Sequence, residues 1–167
     1  MISFTGAKHL LKNSKKLIIL KAFTKLYGMA GVRLGYCLCS DTELLARMRA
    51  AGQPWAVSSL AQAAGIAALD ETEYVAKVRA LIEAQRPVLA DGLRALGLRV
   101  IEGRVNYLLF RAPEALGEAL RRKGAVLRSC GNYPGLDASW YRTAVRTENE
   151  NRQLLALLAE TLPEVAQ

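Results

Sequence analysis

The chain has 167 residues, 51% of them hydrophobic, enough for one ordinary domain or one and a half small ones with a real core. No apolar run reaches the length of a membrane-spanning helix, and no apolar stretch with a small-residue cleavage site follows the N-terminal lysines, so neither a membrane partner nor a signal peptide is expected. The net charge of +8 is distributed over Lys8, Lys12, Lys15, Lys16 and separate helical arginines without interleaved aromatics, a pattern that argues against nucleic acid and fits anionic small molecules.

Residues 1–5 read like the tail of an element begun earlier, and Ala7–Leu11 like a helical turn. Leu17–Leu20 is a short apolar run and predicts a buried strand. A loop with Gly28 and Gly31 follows, then a second strand over Val32–Cys39 that puts Cys37 and Cys39 on one buried face. Cys37, Cys39 and Cys130 fit no disulfide framework. With His9 the sole histidine, a Cys-x-Cys metal site lacks partners, so reduced thiols, a cytoplasmic protein and no metal are expected. Ser40-x-x-Glu43 reads as a capping box for a helix that stops before Gly52. Trp55 either lines a substrate channel or plugs a core. Ser58 or Ser59 starts an Ala-rich helix, apolar all round and so expected to be buried.

Asp70-x-x-Glu73 predicts the start of a long amphipathic helix that Pro87 kinks or breaks and Gly97 ends. Beyond it the pattern changes to short α+β units. Strands are expected over Leu98–Ile101, Tyr107–Phe110, Val126–Arg128 and Trp140–Val145, with a helix after Pro113. A last helix is capped by Thr147-x-x-Glu150. The domain reading is residues 1–70, a linking helix over 71–97 and a small α+β domain over 98–167.

The loop after the first strand holds a hydroxyl, an amine and a guanidinium: Thr24, Lys25 and Arg33. A lysine flanked by apolar groups and near another cation is pushed towards its neutral, nucleophilic form. Arginine and a hydroxyl are groups that grip a phosphate. On composition alone, an ordinary surface lysine and an edge-strand arginine account equally well for these residues. Arg128 and Arg146 fall at expected strand ends on either side of a Gly/Pro loop, Arg146 just before a helix N-terminus. The arginine fork matches a carboxylate there, but strand-end arginines also simply face water.

Ala22-Phe23-Thr24-Lys25 with Gly31-Val32-Arg33-Leu34-Gly35-Tyr36 resembles the signature of the aminotransferase class I/II group of fold-type-I pyridoxal-phosphate enzymes. Ala22 departs from the Ser or Thr many members carry there, at a cost on the order of 1 kcal/mol in one phosphate hydrogen bond. Val126-Leu127-Arg128-Ser129-Cys130-Gly131-Asn132-Tyr133-Pro134-Gly135-Leu136-Asp137, followed by Tyr141-Arg142-Thr143-Ala144-Val145-Arg146, is similar to the C-terminal motif of threonine-phosphate decarboxylases. Histidinol-phosphate aminotransferases are the other near group.

The resemblance implies an α/β fold, the C-terminal part of a pyridoxal-phosphate transferase fold: a remnant of the large-domain sheet over 1–70 plus the small C-terminal domain. It implies pyridoxal 5'-phosphate as cofactor, held by Lys25, Thr24 and Arg33, with Lys25 catalytic. Arg128 and Arg146 would bind a phosphorylated amino acid. It also implies a homodimer in intact relatives, or a separate chain for the N-terminal half. The reaction expected is decarboxylation of L-threonine O-3-phosphate to aminopropanol phosphate in cobalamin synthesis. The alternatives are an aminotransferase, or a remnant without activity of its own.

Overall fold

The structure is a computed structural model that describes residues 6–165; the reading of residues 1–5 lies outside them. The chain divides within one helix into two compact units, the first ending at Ala76 and the second starting at Lys77. The long helix expected as a link over 71–97 thus contributes most of its length to the second unit.

The first element described in the first unit is a 3-10 helix, Gly6–Asn13. Strands β1 (Ile19–Ala22) and β2 (Gly35–Leu38) pair antiparallel, with Ile19 opposite Leu38 and Ala22 opposite Gly35. Both differ from the sequence reading. The first strand starts at Ile19, not Leu17, and is largely exposed, with Leu20 at 76%. The second starts at Gly35 because residues 30–33 form a turn. Among the described residues these two strands form the sheet by themselves, so an apolar pattern suited to burial on both faces is left open. Cys37 and Cys39 are accordingly half-buried rather than buried.

Helix α1 (Thr42–Ala51) is capped by Asp41, whose Oδ1 accepts from the Leu44 N–H at 2.9 Å. Ser40, the expected cap, instead donates its hydroxyl to the carbonyls of Leu11 and Ser14, at 2.8 and 2.9 Å. Helix α2 (Ser59–Asp70) is capped by Ser58, which accepts from the Ala61 N–H at 3.2 Å. It buries only a stripe of small residues, Ala61, Gly65 and Ala68, while Leu60, Ile66 and Leu69 stay exposed. The expectation of a helix buried all round is overturned because this chain packs against one face of it. Asp70, the expected cap of the long helix, is the last residue of α2, and the long helix starts at Thr72. Trp55 is 96% exposed, so it plugs no core here.

Helix α3 (Thr72–Ala95) runs through Pro87 without a break. Buried Leu89, Ala90 and Leu93 follow the proline immediately, and their packing outweighs the lost hydrogen bond. The helix ends in a left-handed Gly97, whose N–H donates to the Arg94 carbonyl while the Leu98 N–H reaches Leu93.

The second unit carries a four-stranded antiparallel sheet in the order β3-β4-β6-β5. The strands are β3 (Arg99–Ile101), β4 (Tyr107–Arg111), β5 (Arg128–Ser129) and β6 (Trp140–Ala144). Helix α4 (Leu116–Arg122) lies between β4 and β5, and α5 (Glu148–Val165) closes the chain. Alternation sends Leu108, Phe110 and Tyr141 into one core with Leu89 and Leu93 of α3, Leu116 and Leu120 of α4, and Leu158 of α5. Gly92 allows α3 and α5 to meet closely: a Cβ there would lie 2.4 Å from the Leu155 side chain. The helices cover one face of the sheet. The other face, by the same alternation, carries Arg99, Tyr107, Leu109, Arg111, Arg128, Trp140 and Arg142.

Candidate active site

The β1–β2 connection is held at both ends by side chains adjacent to its polar groups. Phe23, 6% exposed, stacks on Tyr27 at 5.1 Å and contacts Tyr36, which fixes the backbone just before Thr24 and Lys25. Leu34 seats its side chain against Gly65 of α2, where a Cβ would come within 2.4 Å of it, and this fixes the backbone just after Arg33. The Phe23 N–H donates to the Leu34 carbonyl at 3.2 Å and closes the connection. A turn from Lys25 to Gly28 follows, with Gly28 at φ 66°.

Thr24 is half-buried, and Lys25 and Arg33 are exposed. The apolar enclosure expected around Lys25 is not supplied by the described residues. Arg33 takes a left-handed backbone, φ 57°, and its Nη1 makes a long bond of 3.4 Å to the Ala30 carbonyl. A non-glycine residue in that conformation carries strain of about 1–3 kcal/mol, and such residues cluster at functional sites. An amine, a hydroxyl and a guanidinium thus sit on one connection closed at its ends.

In the second unit the strand-end arginines differ in surroundings. Arg146 follows β6 rather than ending it, and is exposed. Its Nη2 lies 3.1 Å from Glu150 Oε1, one turn into α5. The Thr147 hydroxyl and N–H both donate to Glu150 Oε2, at 2.6 and 3.2 Å, and hold that carboxyl below the usual carboxylate range; the Arg146 charge adds to this. Arg128 starts β5 and faces Arg142 directly across the β5–β6 pair. Arg142 was not singled out from the sequence. Its guanidinium lies 4.7 Å over the Tyr107 ring. Among the described residues no carboxylate pairs with Arg128 or Arg142. The signal available in the sequence was the register: Arg142 sits opposite Arg128 once residues 130–139 are taken as the connecting loop.

That loop is braced from within. Asp137 Oδ1 accepts from both the N–H and the hydroxyl of buried Ser139, which hold the Asp137 carboxyl below the usual range, with the Arg111 charge contributing less. Arg111 Nε donates to the Ser139 hydroxyl at 2.9 Å. Among the described residues no group of three His, Cys, Asp or Glu is placed to hold a metal, and no helix is long and apolar enough to cross a membrane.

Residues 2–158 match the sequence model for aminotransferase class I and II. The chain belongs to that family. Threonine-phosphate decarboxylase from Salmonella typhimurium is 37% identical over 97% of this chain and 46% of the relative. Histidinol-phosphate aminotransferase from Symbiobacterium thermophilum is also 37% identical, over 95% of this chain and 44% of the relative. The crystal structure of the histidinol-phosphate aminotransferase from Clostridium acetobutylicum superposes with a TM-score of 0.92 at 29% identity, over 97% of this chain and 50% of that one. The chain thus spans about half the length of the relatives it matches. The family resemblance read from the Thr24-Lys25 and Arg128 motifs is borne out. Equal identity to a decarboxylase and an aminotransferase gives the class I/II family and leaves the reaction open.

Proposed function

We propose that this chain supplies the C-terminal portion of a pyridoxal-phosphate enzyme acting on a phosphorylated amino acid in the cytoplasm, with threonine-phosphate decarboxylase as the model. L-threonine O-3-phosphate would be converted to aminopropanol phosphate and carbon dioxide. Residues 1–70 would belong to the cofactor-binding domain and 98–167 to the substrate-binding one, in a homodimer or with a separately encoded N-terminal half. The observation that carries the reading is the single β1–β2 connection bearing Thr24, Lys25 and Arg33, closed by Phe23 and Leu34.

These groups fit pyridoxal phosphate. When bound, the cofactor supplies an aldehyde for an amine and a ring that accepts an electron pair. Lys25 would hold the aldehyde end and afterwards carry a proton to or from the substrate Cα. Arg33 and Thr24 would hold the phosphate. Arg128, with Arg142 opposite, would grip an anionic group of the substrate, its carboxylate or its own phosphate. Arg146, whose Nη2 is paired with Glu150, would be a further arginine for the substrate's carboxylate.

The test is a spectroscopic titration of the chain with pyridoxal phosphate, with and without Lys25→Ala. Product analysis would follow for the enzyme that contains this chain, using threonine phosphate alone, then histidinol phosphate with 2-oxoglutarate. Lys25-dependent binding with aminopropanol phosphate as product supports the reading. Transfer of the amino group to 2-oxoglutarate would instead assign the histidinol-phosphate aminotransferase type, the type of the Symbiobacterium and Clostridium relatives.

A further inference from the structure

Arg128 and Arg142 place two like charges directly opposite one another on an antiparallel pair. Such a pair repels, and the long side chains would splay apart unless something holds them. Arg142 is held by an aromatic ring. Tyr107 lies on the neighbouring strand β4, opposite Ala144 and therefore diagonal to Arg142 on the same outer face. The guanidinium carbon sits 4.7 Å from the ring centroid.

The manner of holding matters. A carboxylate partner would engage the N–H donors, as Glu150 does for Arg146. Placement over a ring holds the guanidinium through its charge rather than by pairing its N–H donors with a carboxylate, which leaves donors available for an incoming anion. Tyr107 is 40% exposed and its neighbours Leu108 and Phe110 fill the core, so the ring is not required for core packing. The other arginine over a ring on this face, Arg99 over Trp140, is farther at 5.6 Å and does not face Arg128.

Resting on the reading of Arg128 and Arg142 as an anion pair, we propose that Tyr107 is a positioning residue that aims the Arg142 guanidinium at the substrate's anionic group. It fixes the side chain in advance and so reduces the entropy lost on binding, without occupying a donor.

The experiment titrates inorganic phosphate into the 167-residue chain and follows the Arg128 and Arg142 Nε–H signals by NMR. Both signals are expected to move with one binding curve. Tyr107→Phe keeps the ring and should leave the curve unchanged. Tyr107→Thr, which keeps strand propensity, should weaken binding about two- to fivefold with an unchanged unfolding midpoint. It should also remove the ring-current shift of the Arg142 side-chain signals, a readout that strand stability alone does not move. Where the threonine variant does not fold, Tyr107→Leu gives the same comparison. Wild-type affinity in a folded ringless variant overturns the inference. If Arg142→Ala itself leaves phosphate binding intact, the anion-pair reading fails, and the inference fails with it.

Discussion

Asn151 holds Arg146 by its main chain on both sides. The Asn151 Oδ1 accepts from the Arg146 N–H at 3.1 Å, and Nδ2 donates to the Arg146 carbonyl at 2.9 Å and to Gln85 of α3 at 3.3 Å. Asn151 is 2% exposed, so these bonds form away from water. One buried amide thereby ties the exit of β6 to α5 and to α3. Asn151→Ala leaves the Arg146 backbone groups without their partner and is expected to destabilise by about 1–3 kcal/mol. A denaturant midpoint for Asn151→Ala equal to wild type would show that water replaces the amide without loss.

The Arg128–Arg142 pair predicts a trade between stability and binding. Like charges opposite one another on a strand pair cost a few tenths of a kcal/mol up to about 1 kcal/mol. Arg142→Gln should therefore leave the second unit as stable or slightly more stable, while removing affinity for phosphate or a carboxylate. Arg146→Gln should lose the ion pair with Glu150 and weaken anion binding less than Arg142→Gln does, because Nη2 of Arg146 is already engaged. Paired unfolding and phosphate titrations measure both. Loss of anion binding in Arg146→Gln with retention in Arg142→Gln would return the substrate role to Arg146.

Stability should fall on both sides of neutrality for identifiable reasons. Glu150 and Asp137 are held below the usual carboxylate range by bonds from Thr147 and Ser139. Their contribution is therefore present above that range and lost as pH falls through their lowered values. Lys123 is held above the usual lysine range by Glu160 and Glu164, so its contribution persists through neutrality and is lost as pH rises through the raised value. Asp137 is exposed and Glu150 and Lys123 are half-buried, so each effect is small and weakened by salt. Denaturant midpoints across pH for Glu150→Gln and Asp137→Asn should show a shallower acid limb. An acid limb unchanged in the double variant would assign it to other carboxylates.

The parts of the fold legible in the sequence were those set by local chemistry. A serine start for α2 at Ser58 or Ser59, Gly97 ending α3, the Thr147–Glu150 pair and the order of the last four strands along the chain all follow from short-range patterns. What failed depended on partners distant in sequence. Ser40 was drawn away from its cap by carbonyls at Leu11 and Ser14, and Pro87 was carried by packing on Leu89 and Leu93. Leu20, Leu60 and Ile66 have the composition of a core and are exposed, since hydrophobicity does not say which surface will cover a residue. The site showed the same division. Thr24, Lys25 and Arg33 lie on one connection and were found by motif. Arg142 emerged only from strand register.

The last prediction concerns cofactor binding by the 167-residue chain on its own. Lys25 is exposed, and a bond to an aldehyde needs only a neutral amine within reach, so Lys25-dependent binding of pyridoxal phosphate is expected. It should be weak. In the proposed site Thr24 and Arg33 would supply two of the phosphate partners and Ala22 none, and the chain spans about half the length of the relatives it matches. Each missing hydrogen bond is worth about 1 kcal/mol, and about 1.4 kcal/mol is a factor of ten, so affinity should fall by about two orders of magnitude or more relative to a full-length relative. Exposed Leu20, Trp55, Leu60, Ile66 and Leu69 should also make the isolated chain self-associate. Turnover of threonine phosphate by this chain alone is expected to be absent, since it spans about half the length of the relatives it matches. Absorbance titration of wild type and Lys25→Ala, light scattering, and an assay for aminopropanol phosphate make the test. Tight Lys25-dependent binding with measurable decarboxylation by this chain alone would mean that residues 6–165 already contain a complete site.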